Sequence, residues 1–204
     1  MRKLLVLAFL GVLFVPTASC AQAWVGLRFG FARAMGDYVR DAPIDREIWS
    51  QIPIQLDAMY NVTPDIGVGL YLSYGLGGLN RDFMDRCNAV GVTCSASNTR
   101  IGIQAAYALN DVLAHFAPWA GVGVGYEWYT LKGEADGISA SATTSGFEFL
   151  NLQVGCDYPV NRRVLVGPYL QLSVGQYTSV ESESIAHKGT HEWLGFGVRG
   201  RFDL

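Results

Sequence analysis

The sequence predicts an all-β protein, an eight-stranded antiparallel up-and-down transmembrane β-barrel. Three observations predict it. Apolar residues alternate with small or polar ones in about eight segments, as in strands with two unlike faces. A tyrosine followed by a polar turn and a new strand recurs at Tyr60, Tyr107 and Tyr158, so the chain repeats a hairpin unit. Half of the 204 residues are hydrophobic and only 16% charged, yet beyond the N-terminal segment no apolar run reaches the ~20 residues of a spanning helix. An exported, apolar, glycine-rich chain of this kind crosses a bilayer as a closed barrel, because every backbone polar group must be paired inside lipid.

Export is read from residues 1–23. Arg2 and Lys3 precede the apolar run Leu4 to Val15, and the segment ends Ala21-Gln22-Ala23. A charged start, a short apolar stretch and an A-x-A end predict a signal peptide cleaved after Ala23, with residues 24–204 as the barrel domain. Cys20 offers the alternative of a lipidated N-terminal cysteine, although Thr17 stands where lipoprotein signals prefer an aliphatic residue. The net charge of −3 becomes more negative once Arg2 and Lys3 are removed, so the chain lacks the basic footprint of a nucleic-acid binder.

Strand one covers residues 24–34, with Val25, Leu27, Phe29 and Phe31 opposite Gly26, Arg28, Gly30 and Ala32. A polar segment from Met35 to Glu47 reads as a loop. Strand two, residues 48–60, sets Ile52, Ile54, Leu56, Ala58 and Tyr60 against Gln51, Gln55 and Asp57, and the turn Asn61 to Asp65 leads into strand three, where Ile66, Val68, Leu70, Leu72 and Tyr74 alternate with glycines, Tyr71 and Ser73. A long connection, 77–98, carries Cys87 and Cys94. Strand four sets Ile101, Ile103, Ala105 and Tyr107 against Arg100, Gly102, Gln104 and Ala106; strand five follows the turn at Asn110-Asp111, with Val122, Val124, Tyr126 and Trp128 against Gly121, Gly123, Gly125 and Glu127. Residues 132–145 have the composition of a solvated loop. Strand six places Leu150, Leu152, Val154, Cys156 and Tyr158 opposite Asn151, Gln153 and Asp157, and the broken parity at Phe147, Glu148 and Phe149 predicts a bulge. Strand seven carries Val166, Leu170, Leu172 and Val174; after an acidic loop, strand eight ends the chain with Leu194, Phe196, Val198, Phe202 and Leu204 against Arg199 and Arg201. Pro53, Pro118 and Pro168 each remove a ladder hydrogen bond and are expected at bulges or strand starts.

Eight strands of about ten residues, with connections alternating long and short, match the smallest bacterial outer-membrane barrels. Long loops then lie outside the cell and short turns and both termini in the periplasm. Tyr60, Tyr107 and Tyr158 end descending strands at one height, where an aromatic girdle belongs, with Tyr74 and Trp128 as candidates for the opposite rim. Such a girdle has no purpose inside a soluble lipocalin-like barrel, the rival fold, and that fold's surface would carry more Lys and Glu.

The alternating strands, the tyrosine-headed turns and the terminal strand VRGRFDL resemble the small outer-membrane β-barrel superfamily of the OmpA and OmpX type. That resemblance spans 24–204 and implies a structural envelope protein, an adhesin or a narrow pore, with outer-membrane lipids, lipopolysaccharide and the barrel assembly machinery as partners and no cofactor. It departs from the family's usual end, since Leu204 is last and Phe202 precedes it by two.

Individual residues sharpen the expectations. Cys87 and Cys94 in an exported loop predict a disulfide, the alternative being two free thiols; Cys156 reads as a small apolar residue. Arg28, Asp57, Arg199 and Arg201, joined by Glu127 and Asp157, are expected to form a lumen charge network, because an unpaired ion in so narrow a space is costly. Paired side chains make a plug; a conducting lumen is the alternative. Catalysis would need His with Ser and an acid, but His115 falls in a turn and His187 and His191 in the last loop, near Glu183 and Ser184, so no enzyme is expected. Glu181, Glu183, His187 and His191 make a conceivable metal set in a hydrated loop. Arg33 meets lipopolysaccharide phosphates or snorkels, and Asn61-Val62-Thr63 is read as turn chemistry rather than a glycosylation sequon.

Overall fold

A computed structural model describes residues 23–39, 42–109, 116–180, 183–185 and 188–204. Its elements run β1 Ala23–Val39, β2 Ala42–Pro43, a 3-10 turn Ile44–Arg46, β3 Ile48–Asn61, β4 Ile66–Leu79, helix α1 Arg81–Ala89, β5 Thr93–Ala108, β6 Ala117–Ala135, β7 Ile138–Pro159, β8 Val164–Val180, β9 Glu183–Ser184 and β10 Thr190–Asp203. Eight of the strands pair antiparallel in the order β10-β1-β3-β4-β5-β6-β7-β8, and β8 pairs back to β10, so the sheet is a closed barrel without edges along its wall. At the terminal end the backbone N–H of Leu204 donates to the carbonyl of Ala23 at 2.9 Å.

Alternation decides the faces. Leu27, Phe29, Ile54, Leu56, Leu70, Leu72, Ile103, Val124, Val154, Leu170 and Phe196 all stand exposed on the outer wall, while Arg28, Gln55, Asp57, Gln104, Gln153 and Arg199 are buried inside. This is the reverse of a soluble barrel, and it removes the lipocalin alternative. Tyr60, Tyr107 and Tyr158 are exposed at the terminal end, and Tyr74 and Trp128 lie outward towards the other.

The loop end carries more regular structure than composition suggests. β1 continues to Val39, beyond the strand end expected at residue 34, and residues 42–46 fold back beside it as β2 and the 3-10 turn. The connection read as a loop over 77–98 holds the end of β4, helix α1 capped by the Asn80 side chain on the Asp82 N–H, and the first residues of β5. The segment 132–145, read as a solvated loop, is instead a hairpin: β6 and β7 extend for 19 and 22 residues and meet at Asp136-Gly137, both with positive φ. An Asp-Gly pair at such a turn matches the twist of the flanking strands. Strands this long exceed the 9–11 residues that cross a bilayer, so the hairpin stands clear of the apolar band.

Of the three prolines, Pro118 sits at the start of β6. Pro53 and Pro168 lie within continuous strands without a bulge. The Gly30 and Phe31 positions have no ladder partner on the β3 side near Pro53, and the same gap opens at Cys156 and Asp157 beside Pro168. Each proline keeps full pairing with its other neighbour, Pro53 with Gly75 and Pro168 with Val198.

Candidate functional site

Among the described residues the lumen is where polar side chains converge, and it is filled. Inward glycines make beds for large side chains: a β-carbon at Gly155 would collide with the Trp119 ring, and one at Gly102 with the Tyr71 ring.

In the terminal half stand two buried ion pairs, Arg28 of β1 with Asp57 of the neighbouring β3, and Arg199 of β10 with Asp157 of β7 across β8. Arg28 Nε donates to Asp57 at 2.6 Å, and its terminal nitrogens reach across the lumen to Gln153 at 2.6 Å and Gln104 at 3.5 Å. Asp57 also accepts from Gln55 and Gln104, each at 2.8 Å. Arg199 pairs with Asp157, which also accepts from the Trp119 indole at 3.1 Å. Both guanidiniums lie over the Trp119 ring, Arg199 at 3.5 Å and Arg28 at 5.3 Å from its centroid, so one indole attracts two like charges. Arg201 pairs with Asp203 at 2.6 Å and stacks over Trp24.

Above them a bulge sets the next layer. Gly123 pairs with Asn151 and Gly125 with Glu148, leaving Phe149 and Leu150 opposite Val124 alone. Residues 148 and 151 would face opposite sides of a regular strand; the extra residue turns both inward. Glu148 accepts from Arg100 at 3.3 Å, from Asn151 at 2.9 Å and from the Tyr71 hydroxyl. Asn151 accepts in turn from Gln153 at 3.0 Å, which joins this layer to the Arg28 layer.

Towards the loop end the filling becomes aromatic. Glu127 Oε1 accepts from Tyr177 at 2.6 Å, Asn98 at 3.1 Å and Trp193 at 3.3 Å, with His191 Nε2 at 3.4 Å. His191 stacks flat on Tyr177 at 4.0 Å. Over this cluster Ile44, Ile48, Leu79, Tyr129, Tyr177 and Trp193 form a buried apolar core, with Tyr38, Phe83 and Cys94 packed against it. A disulfide joins Cys87 of α1 to Cys94 of β5, and Asn80 bonds the carbonyls of Asp45 and Glu47 at 2.8 Å each through its side chain and backbone N–H. These links clamp the helix and the 3-10 turn down as a cap. Burial in this cap raises the Glu47 carboxyl above its ordinary range, opposed by the nearby Arg86 charge.

Of the six residues expected to form one network, Arg28 and Asp57 make one pair, Arg199 and Asp157 a second, and Arg201 turns to Asp203. Glu127 stands apart in the aromatic layer. Arg100 and Glu148 are additions to that set: Glu148 is visible in the sequence only as a break in parity, and Arg100 needs its partner to be recognised. His191, expected in a loop, is in β10 and faces the lumen, 1% exposed. His115, Glu181 and His187 lie outside the described residues, as do Cys20 and the Asn110-Asp111 turn, and the side chains of Glu183 and Ser184 lie outside them too. Arg33 is exposed on the outer wall.

A closed barrel with an apolar outer wall and a polar lumen is the architecture of outer-membrane barrel proteins. Residues 5–167 match the family described as outer membrane protein beta-barrel domain, and the chain belongs to that family; it is a protein of the bacterial outer membrane. Its fold is similar to Neisserial surface protein A, with a TM-score of 0.55 and 15% identity over 89% of this chain and 98% of that one. It is also similar to a major outer membrane protein from Thermus thermophilus, with a TM-score of 0.54 and 12% identity over 91% and 100%. No curated protein matches the chain at a significant level.

Proposed function

We propose that this protein is a structural, surface-displaying barrel with a plugged lumen, exported by a signal peptide cleaved after Ala23. In this reading its loop end is outside the cell and both termini are periplasmic. The observation that carries it is the continuous filling of the lumen, from the Arg199 pair through the Arg28 and Glu148 layers to the aromatic cap. Paired guanidiniums and stacked rings stand across the path that water and ions would take. The cap, α1 and the β6–β7 hairpin are then the surface offered to the outside, and they are the part that could contact an extracellular ligand. Outer-membrane lipids surround the wall between the Tyr60, Tyr107 and Tyr158 girdle and the Tyr74 and Trp128 rim; lipopolysaccharide and the barrel assembly machinery are the further partners.

A catalytic role is not part of this reading. His191 is enclosed with Glu127 and Tyr177, where no lipid or solute reaches it. Planar-bilayer recording of the purified barrel tests the plug: the expected record is a flat baseline, and a steady large conductance would overturn it. Labelling of Ser139→Cys on intact cells with a membrane-impermeant maleimide tests the orientation, and N-terminal sequencing of the mature chain tests the cleavage point.

A further inference from the structure

Among the described residues the lumen holds five carboxylates, on Asp57, Glu127, Glu148, Asp157 and Asp203, and four guanidiniums, on Arg28, Arg100, Arg199 and Arg201. Arg28, Arg199 and Arg201 each hold one carboxylate. Arg100 serves two. It stands opposite Glu127 in the β5–β6 register, but its guanidinium donates to Glu148. Glu127 therefore has three neutral donors on Oε1, the His191 imidazole at 3.4 Å from it, and only the more distant charge of a guanidinium that is bonded to Glu148. An ion this enclosed requires a counter-charge.

Its second oxygen, Oε2, has no hydrogen-bond partner among the protein groups. Neither do Asn98 Oδ1, Tyr129 Oη and Gln51 Oε1, all on buried side chains, nor, on the nitrogen side, Gln51 Nε2 and the two ring nitrogens of His191. The residues that carry these four oxygens are neighbours on the wall. Asn98 is directly opposite Tyr129 on one side and Gly75 on the other. The Gln51 amide lies over Gly75, so close that a β-carbon there would collide with it, and Asn98 is hydrogen-bonded to Glu127. We propose that Glu127, Asn98, Tyr129 and Gln51 form an internal site for one hard monovalent cation of the sodium or potassium class, enclosed beneath the aromatic cap as the barrel folds.

The four ligands are all oxygens, and five carboxylates against four guanidiniums leave one negative charge for one positive charge. No group of three His, Cys, Asp or Glu side chains able to hold a metal occurs among the described residues, which sets a transition ion aside. The rival counter-charge is an imidazolium on His191, 3.4 Å from Glu127 Oε1. Tyr177, Tyr129, Tyr38, Arg100 and Glu148 are the other ionisable groups around that pair.

The test is to refold the full barrel into detergent in sodium, potassium or N-methylglucamine chloride at one ionic strength and follow thermal unfolding. Saturating small cation is expected to raise the midpoint by about 5–10 °C over N-methylglucamine. Gln51→Leu, which removes one oxygen and no charge, is expected to cut that rise by more than half, and Glu127→Gln to abolish it. If Glu127→Gln does not fold, Gln51→Leu carries the comparison, and crystals grown in thallium or rubidium salt are expected to show an anomalous peak between Glu127 and Asn98. Midpoints equal in the three salts but dependent on pH would put the charge on His191 and overturn the site. Midpoints indifferent to both would show that hydration alone satisfies Glu127, and overturn it equally.

Discussion

The terminal half of the lumen and its loop end solve the same packing problem by opposite means. Near the termini the space between strands is filled with arginines, carboxylates and amides whose bonds reach across the barrel, as from Arg28 on β1 to Gln153 on β7. Towards the loops it is filled with Tyr129, Tyr177, Trp193, Ile44 and Ile48, a core of the kind found in soluble domains. Surroundings explain the difference. The lower half is ringed by lipid, where glycine-lined walls leave room for long polar side chains that must satisfy one another. The upper half rises beyond the apolar band, and there ordinary hydrophobic burial of a cap against the strands becomes available.

If the ionic half holds the barrel closed, removing one partner there should have the largest effect. Arg28→Met leaves Asp57 enclosed without its cation, and the expected loss is about 3–5 kcal/mol in urea unfolding of the folded barrel. Adding Asp57→Leu to the same chain should recover part of that loss; a double variant as weak as the single one would mean that the amides around Arg28 matter more than the pair.

The cap should respond locally. Closing the short ring between Cys87 and Cys94 is worth about 2–3 kcal/mol by the chain-entropy estimate, so the double Cys87→Ser, Cys94→Ser variant should be cut faster by protease around 81–92 while the barrel's own midpoint stays in place. A midpoint that fell in parallel would join the two halves into one cooperative unit. Tyr177→Phe removes one donor from Glu127 and should cost about 1–2 kcal/mol, less than Arg28→Met, which unfolding of the two variants side by side would check.

The smallest effect expected is on pH. Glu47 has its carboxyl raised by burial in the cap, so the folded state binds its proton more tightly than the unfolded chain does. Stability of the cap then falls as pH rises from the ordinary carboxylate range through the raised value, and recovers on acidification. Protease nicking near residue 47 should be slower at pH 5 than at pH 7, and Glu47→Gln should flatten that difference.

How much of this can be read from the chain follows from the range of each signal. Which way a side chain points depends on parity alone, a local property, so the inward set of Arg28, Asp57, Asp157 and Arg199 and the outward set of Leu27, Leu56 and Leu70 follow from two-residue alternation. Partnership across the lumen depends on strand stagger, which alternation does not encode; this is why sequence groups Glu127 with Arg28 and leaves Arg100 without a partner. The loop end escapes the sequence for another reason. Polar composition over 132–145 hides an Asp-Gly turn whose flanks pair from Thr130 with Thr143 to Ala135 with Ile138. His191 reads as a loop residue because the apolar alternation of strand eight begins at Leu194, three residues short of the ring that packs on Tyr177.

The seam between β1 and β10 has a practical side. Because the Ala23 carbonyl already receives the Leu204 amide, a few residues could stitch last to first, and the chain could be severed instead at the Asp136-Gly137 tip. Such a permuted molecule would trace the same cylinder from a different starting point, and it would bring both of its new ends to the opposite mouth.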